Sequence, residues 1–563
     1  MKTKLSQAIA MATLVGAATV NPAGLGGALL YPVYTVNNEN TTLVSVTNTT
    51  DQYKAVKVRF LEGKNSAEVL DFHLYLSPKD VWSGSIVATE TGAKLLSKDT
   101  SCIPGFSDGF PAEGLEFRDF EILKDSISGV VGVGVPDGAD TSIARSRVGH
   151  FEVIEMGVVD PAFVLDAAAV PAASGTAGFA IKHVNGVPGN CGNITKAWEV
   201  GGVWEKTGND SDKFSQTDGL SAPTGGLYGT AAIVNVPGGW AASYDAVAVG
   251  DPAKTVAPAA NMAITAVTGA ITAGLPGTAA DLGKGPGAGA NGPWNAAAAA
   301  LGGGLWSIPQ HPRPGSVYPS LDTVDVHGAN VSTLAAVTGL VASEDYIAPG
   351  MPVQAAAGDA VGRVSFALNQ TGIYNDYYIK QALNAETDMV VSFPTKRFHV
   401  NIKPDALVGT EYIRLRSQPF SNGWNLSKNK SCEEIAINYY DKEERVGTVT
   451  VGMVSPRPTE PKFSLCYETN ILSVGARSDI IGGKDLRQQF NVDFSEGWFA
   501  VTLAGSRDTA GQSGVSQAAT AAEKGAGAGL PIIGFSTILT KNGNVGGAGV
   551  LANYAQTFKN KTN

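Results

Sequence analysis

Residues 55–82 read AVKVRFLEGKNSAEVLDFHLYLSPKDVW. In Ala55–Phe60 the apolar Val56, Val58 and Phe60 alternate with Lys57 and Arg59. In Leu70–Leu76 the apolar Leu70, Phe72, Leu74 and Leu76 alternate with Asp71, His73 and Tyr75. Successive side chains of an extended chain point to opposite sides, so this period of two marks half-buried strands. The apolar set faces inward and Asp71, His73 and Tyr75 face outward. Gly63–Ser66 and Ser77-Pro78-Lys79-Asp80 supply the turn chemistry around them.

Working outward, Leu43–Thr47 and Phe151–Met156 are further strand candidates. Several short strands with frequent turns predict an Ig-like β-sandwich over residues 19–165. A middle region, 166–388, contains a strand pair, Gly226–Val236 and Ala241–Val249, around Pro237-Gly238-Gly239. Ala, Gly, Thr and Pro dominate its later part, so about 270–304 reads as a flexible insertion. A C-terminal β-rich domain, 389–563, follows. Its strand candidates are Val390–Phe393, Arg397–Ile402, Ile435–Tyr440, Val446–Val454, Phe499–Leu503, Ile532–Leu539 and Val550–Phe558. The fold class expected is mainly all-β: Ig-like β-sandwich domains with Ala/Gly-rich loop insertions.

The N-terminus carries Lys2 and Lys4, then a weakly apolar stretch from Ala8 to Val20 with Gly16, Ala17 and Ala18 inside it. That layout is a secretory signal peptide over residues 1–18, cleaved after Ala18. No later apolar segment reaches the ~20 residues a membrane helix needs, so no transmembrane segment is expected. Four cysteines in an exported chain, Cys102, Cys191, Cys432 and Cys466, predict two disulfides. Of three possible connectivities, Cys102–Cys191 and Cys432–Cys466 join the neighbours in sequence. Charged residues are 16% of the chain and the formal net charge is −10. An acidic chain does not attract a phosphate backbone, which disfavours nucleic acid. A surface with few charges packs readily on other surfaces, because little charge must be desolvated.

Motifs that would carry chemistry lack their context. Gly105-Phe106-Ser107-Asp108-Gly109 matches a nucleophile elbow, but prolines 104 and 111 bracket it where strand and helix should stand. Gly287-Ala288-Gly289-Ala290-Asn291-Gly292 matches a dinucleotide loop within low-complexity sequence, which reads as chance. The six histidines, His73, His150, His183, His311, His327 and His399, are too far apart for an H-x-x-x-H zinc face. His73 and His399 fit exposed strand faces. Glu152 with Glu155, Glu433-Glu434 and Asp441 with Glu443 and Glu444 are the carboxylate groups; the last reads as a charged hairpin turn. No EF-hand loop supports calcium, which could be held only by scattered oxygens. No catalytic, cofactor-binding or metal residue is assigned and no cofactor is expected. Sequons occur at Asn40, Asn48, Asn193, Asn330 and Asn425.

Leu29–Thr50, Ala55–Trp82, Phe151–Gly157, Phe393–Val400, Ser431–Arg445 and Gly534–Tyr554 together resemble a group of uncharacterised secreted proteobacterial proteins. The resemblance implies export from a Gram-negative bacterium and one shared architecture, and it implies no activity. The expected function is a secreted structural or interaction protein of the bacterial cell surface. It would be a self-associating filament, sheath or surface-layer subunit using β-strand addition, with about Thr19–Leu30 entering a neighbour's sheet. The alternative is an adhesion module for a surface glycan or protein, with Trp82, Trp198, Trp204, Trp240, Trp306 and Tyr318 as stacking residues. A secreted hydrolase is the third reading.

Overall fold

A computed structural model describes residues 24–106, 109–119, 139–198, 224–249, 368–396, 428–448, 463–475, 477–503, 529–544 and 551–562. It adds residues 20, 122, 137, 203–204, 219–221, 400 and 420. The signal segment 1–18, the insertion at about 270–304 and most of the strand candidate Arg397–Ile402 lie outside the described residues.

The described chain is all-β in its main layers, as the alternation predicts. Sheet I runs, in spatial order, Val247–Val249, Ala28–Thr35, Val148–Val159, Tyr53–Glu62 and Glu68–Leu76. Sheet II runs Trp240–Asp245, Leu227–Asn235, Asn40–Asn48, Val81–Ala88, Ala93–Leu96 and Leu115–Glu116. Sheet III runs Arg487–Phe490, Thr469–Val474, Ala385–Ser392, Ile533–Asn544 and Leu551–Lys559. Sheet IV runs Val446–Thr448, Glu433–Tyr440, Glu496–Leu503, Gly372–Tyr378 and Lys561–Thr562. Pairing in these sheets is antiparallel, with Thr469–Val474 against Arg487–Phe490 the parallel exception.

The arrangement is a pair of sandwiches, without the specific strand order of an immunoglobulin domain, in which ABED and CFG form the two sheets. Here the first strand, Ala28–Thr35, lies inside sheet I, between Val247–Val249 and Val148–Val159. The boundaries at 165 and 388 also do not end the sandwiches. Leu227–Asn235 pairs with Asn40–Asn48 over nine positions and so belongs to the first sandwich. Gly372–Tyr378 belongs to the second. Periodicity shows that a segment is a strand, but its partner is chosen by faces far away in sequence.

Sheets I and II close on one core: Val56, Val58, Phe60, Phe72 and Phe151 meet Val44, Val46, Trp82 and Ile86. Tyr31 stacks on Phe151 at 3.9 Å between centroids. Sheet III then joins both cores. Val390, Ile471, Phe535 and Leu539 complete the first, while Met389, Val391, Leu472 and Val474 complete the second with Ile437, Phe499 and Val501 of sheet IV. A strand buried on both faces needs a nearly continuous apolar run, and Met389-Val390-Val391 supplies it.

Polar bonds tie the two sandwiches together. Ile480 and Ile481 donate their backbone N–H groups to the Asp388 carboxylate at 2.9 and 3.0 Å. Their carbonyls in turn accept from Asn40 and Thr35 of the first sandwich at 2.9 and 2.7 Å. Ser473 and Ser478 fill the rest of Asp388 at 2.6 and 2.5 Å. At the turn after Tyr53–Glu62, a Cβ on Gly63 would press on the Leu486 side chain, so a larger residue there would have to push that side chain aside.

Both predicted disulfides are present, Cys102–Cys191 and Cys432–Cys466. The first pins a small cap, the helices Ala177–Ile181 and Cys191–Trp198, over one end of sheet I. Tyr75, Met156 and Val159 of the sheet pack against Ala177, Ala180, Ile181 and Ile194 of the cap, with Trp204 beside them.

Candidate contact surface

The structure accounts first for the charged groups. The side of sheet I opposite the core carries Lys57, Arg59, Asp71, His73 and Glu152, and all are buried, His73 included. This corrects the outward reading of that face. Strand register sets Arg59 opposite both Asp71 and Glu152. Lys57 pairs with Asp71 at 3.1 Å and Arg59 with Glu68 at 2.5 Å. Burial alone would raise the Glu68 carboxyl, but Arg59 and Lys57 hold it below the ordinary carboxylate range.

Three other buried groups are similarly filled. Lys54 donates to Glu155 at 2.6 Å, to Thr224 at 2.5 Å and to the Gly225 carbonyl at 2.9 Å. Arg145 forks between Glu62 at 2.9 Å and Asp137 at 2.5 Å. Burial acts to raise Glu62, and Arg145 with the backbone of Asn65 and Lys64 lowers it overall. Lys396 sits among the Phe393 and Phe420 rings and donates to the Ser431 carbonyl at 2.6 Å. Desolvation pushes its ammonium down to about 8, against the pull of Glu468 and Glu433. These ionisable groups are buried, at most a tenth exposed, and their donors and acceptors hold strands together.

The remaining candidates separate in the same way. Glu152, Glu155 and Glu433 are fully buried, so none faces a cleft. Asp441 accepts the backbone N–H groups of Glu443 and Arg445 and pairs with the Arg445 guanidinium, a closed turn. At the elbow-like stretch Phe106 donates to the Ile103 carbonyl and Gly109 to the Phe106 carbonyl; Ser107 and Asp108 lie outside the described residues. Asn40, Asn48 and Asn193 are buried, with side-chain amides donating to backbone carbonyls. They are structural asparagines, unavailable to a glycan. His183 lies near Asp80 at 3.4 Å and His150 is buried. His311, His327, His399, Asn330, Asn425 and the 287–292 loop lie outside the described residues. Among the described residues no group of three His, Cys, Asp or Glu side chains could hold a metal ion. Nor is any helix among them long and apolar enough to cross a membrane.

Of the aromatics named from the sequence, Trp82, Trp204 and Trp240 are core residues. Trp82 packs on Phe72, Trp204 stacks on Tyr75 at 5.8 Å, and Trp240 is buried. Trp306, Tyr318 and the side chain of Trp198 lie outside the described residues. Among the described residues the exposed tryptophan is Trp498, on the outer face of sheet IV, with 38% of its surface open. It stacks on Tyr440 with centroids 4.1 Å apart and planes 14° apart. Tyr374 stands on its other side at 6.3 Å. Register places Asp376 and Tyr440 on the two strands flanking Trp498. The next row along the strands is Tyr374, Ala500 and Asn438, and the one after it Gly372, Thr502 and Ala436. Sequence reasoning began this strand at Phe499. The alternation of Trp498, Ala500 and Thr502 against Phe499, Val501 and Leu503 was the signal that a tryptophan faces solvent.

The segment expected to enter a neighbour's sheet is used within the chain itself. Ala28, Leu29 and Leu30 pair with Val249, Ala248 and Val247 on one side and with Ile154, Val153 and Glu152 on the other. Val20 bridges to Val249 and Gly26 to Leu227.

No protein-family model matches the chain, and no curated protein and no solved structure matches it.

Proposed function

We propose that the protein is an extracellular structural or interaction protein of the bacterial cell surface, which works by contact and not by transforming a substrate. The observation that carries this reading is the contrast in exposure. The buried ionic groups bond to one another, and the stacked pair Trp498 and Tyr440 stands on an open sheet face. Two disulfides support an oxidising compartment. Rigid fusion of the sandwiches through sheet III supports a scaffold that presents a surface.

Adhesive contact through sheet IV fits this arrangement better than strand donation. Donating Ala28–Leu30 would first strip two ladders from sheet I. The test is microscopy of the producing cell with a labelled chain, together with size-exclusion chromatography and binding of mature protein to isolated cell envelopes. Surface labelling with envelope retention is the expected result. A protein that stays in the cytoplasm, or one that neither self-associates nor binds envelopes at high concentration, overturns the reading.

A further inference from the structure

We infer that the outer face of sheet IV is a binding site for an uncharged saccharide chain, centred on Trp498. The inference rests on the contact reading above and names the ligand class.

The face has relief. Trp498 and Tyr440 form a stacked aromatic pair; one row along the strands Ala500 lies between Tyr374 and Asn438, and in the row after it Ala436 lies beside Thr502. The aromatic pair is a wall and the alanines are a floor. Polar groups surround both: Asp376 is on the strand next to Trp498, and Thr502 is exposed beside Ala436. A sugar ring is amphipathic, with C–H groups on its faces and hydroxyls around its rim. Aromatic carbon beside a shallow apolar floor takes the first, and carboxylate, hydroxyl and amide groups take the second.

Charge and size narrow the occupant. Lys561 is the register partner of Tyr374, so a cation and the Asp376 carboxylate edge the same aromatic group with opposite signs. Glu496, at the near end, pairs with Lys442 at 2.9 Å. Glu434, exposed on the same face, tips the set to one net negative charge, which repels a polyanion and is too little to select a polycation. A stable protein interface needs about 800 Å² per side around a well-filled apolar centre. Beyond Trp498, the large exposed apolar side chain of this face is Val446. So small an apolar group suits a ring-sized ligand.

The experiment uses the full mature chain and three probes: cellulose, chitin and purified peptidoglycan, with retention measured against Trp498→Ala, Tyr440→Ala and Tyr554→Ala. Tyr554 is 61% exposed on sheet III and serves as the control for loss of any exposed aromatic. The expected result is retention on at least one polysaccharide. It should weaken tenfold or more in Trp498→Ala, clearly in Tyr440→Ala and not in Tyr554→Ala, with all variants keeping the parental melting temperature within a few degrees. Equal retention of Trp498→Ala and the parent overturns the inference. So does the absence of retention on all three polysaccharides while isolated envelopes still bind the protein; that outcome leaves the contact reading standing. Absence of binding to untreated envelopes and to every polysaccharide overturns both.

Discussion

Two sheet faces of this molecule have the same alternating sequence pattern and opposite fates. In Tyr53–Glu62 and Glu68–Leu76 the residues between the core positions are Lys57, Arg59, Asp71 and His73, and they are buried. In Glu433–Tyr440 and Glu496–Leu503 the residues in the same role are Glu434, Ala436, Trp498 and Thr502, and they are exposed. The face rich in charge is the covered one, and the face with an aromatic group is the open one. Counting polar residues would have reversed the two. Charges can be covered when cross-strand neighbours neutralise them, as Asp71 does Lys57 and Glu68 does Arg59. Covering them costs desolvation, so such a lattice holds only while every member has its partner.

That contrast can be broken hardest at the covered face. Arg59→Met leaves Glu68 buried without its guanidinium and is expected to cost about 3–5 kcal/mol, read by urea denaturation. An unchanged midpoint would mean the lattice is not dry. Replacing both Cys102 and Cys191 by alanine frees the cap over the same sheet and should cost about 4 kcal/mol, seen as an earlier thermal transition of the oxidised protein. Asp388→Ala strips the acceptor from four donors at the joint between the sandwiches and should cost about 2–3 kcal/mol. Hydrogen exchange should then speed up at Ile480 and Ile481 before it does at Val58.

Acid sharpens the contrast further. Glu62 and Glu68 are held below the ordinary carboxylate range in the folded chain, so the folded state binds fewer protons than the unfolded one. Their contribution is complete above about pH 4.3 and is lost as pH falls below that value, through the lowered folded values. A denaturation series from pH 6 to pH 3 should show this loss, and Glu62→Gln should flatten it. The smallest effect is expected at the open face. Trp498→Ala should change stability by no more than about 1 kcal/mol, since the ring is partly solvated already. A larger loss would show that Trp498 holds the sheet together.

Much of the strand content was legible in the sequence, and the reasons are local. Val56, Val58 and Phe60 announce a strand within six residues. Ser77–Asp80 announces its turn, where Asp80 accepts from the Ser77 backbone and hydroxyl. The disulfide pairs were legible too, because each closes the shorter loops. The cover on sheet I was not legible, because nothing near Lys57 in sequence says that Asp71 will sit beside it. Nor was the joint: Thr35 and Ile481 are 446 residues apart. Among candidate site residues, the tryptophans were judged by type. Trp82 shares with Trp498 the same ring chemistry and a place on a strand, and only the side of the strand separates them, while Trp204 is a turn residue buried with the cap.

The central strand of sheet III, Ala385–Ser392, has no face of its own to give to water, since Val390 fills one core and Met389 with Val391 the other. The two sandwiches therefore cannot be inherited, swapped or duplicated as separate modules. A recombination event that exchanged one half would have to bring a replacement lining for the other, so the unit on which selection acts is the whole four-sheet stack.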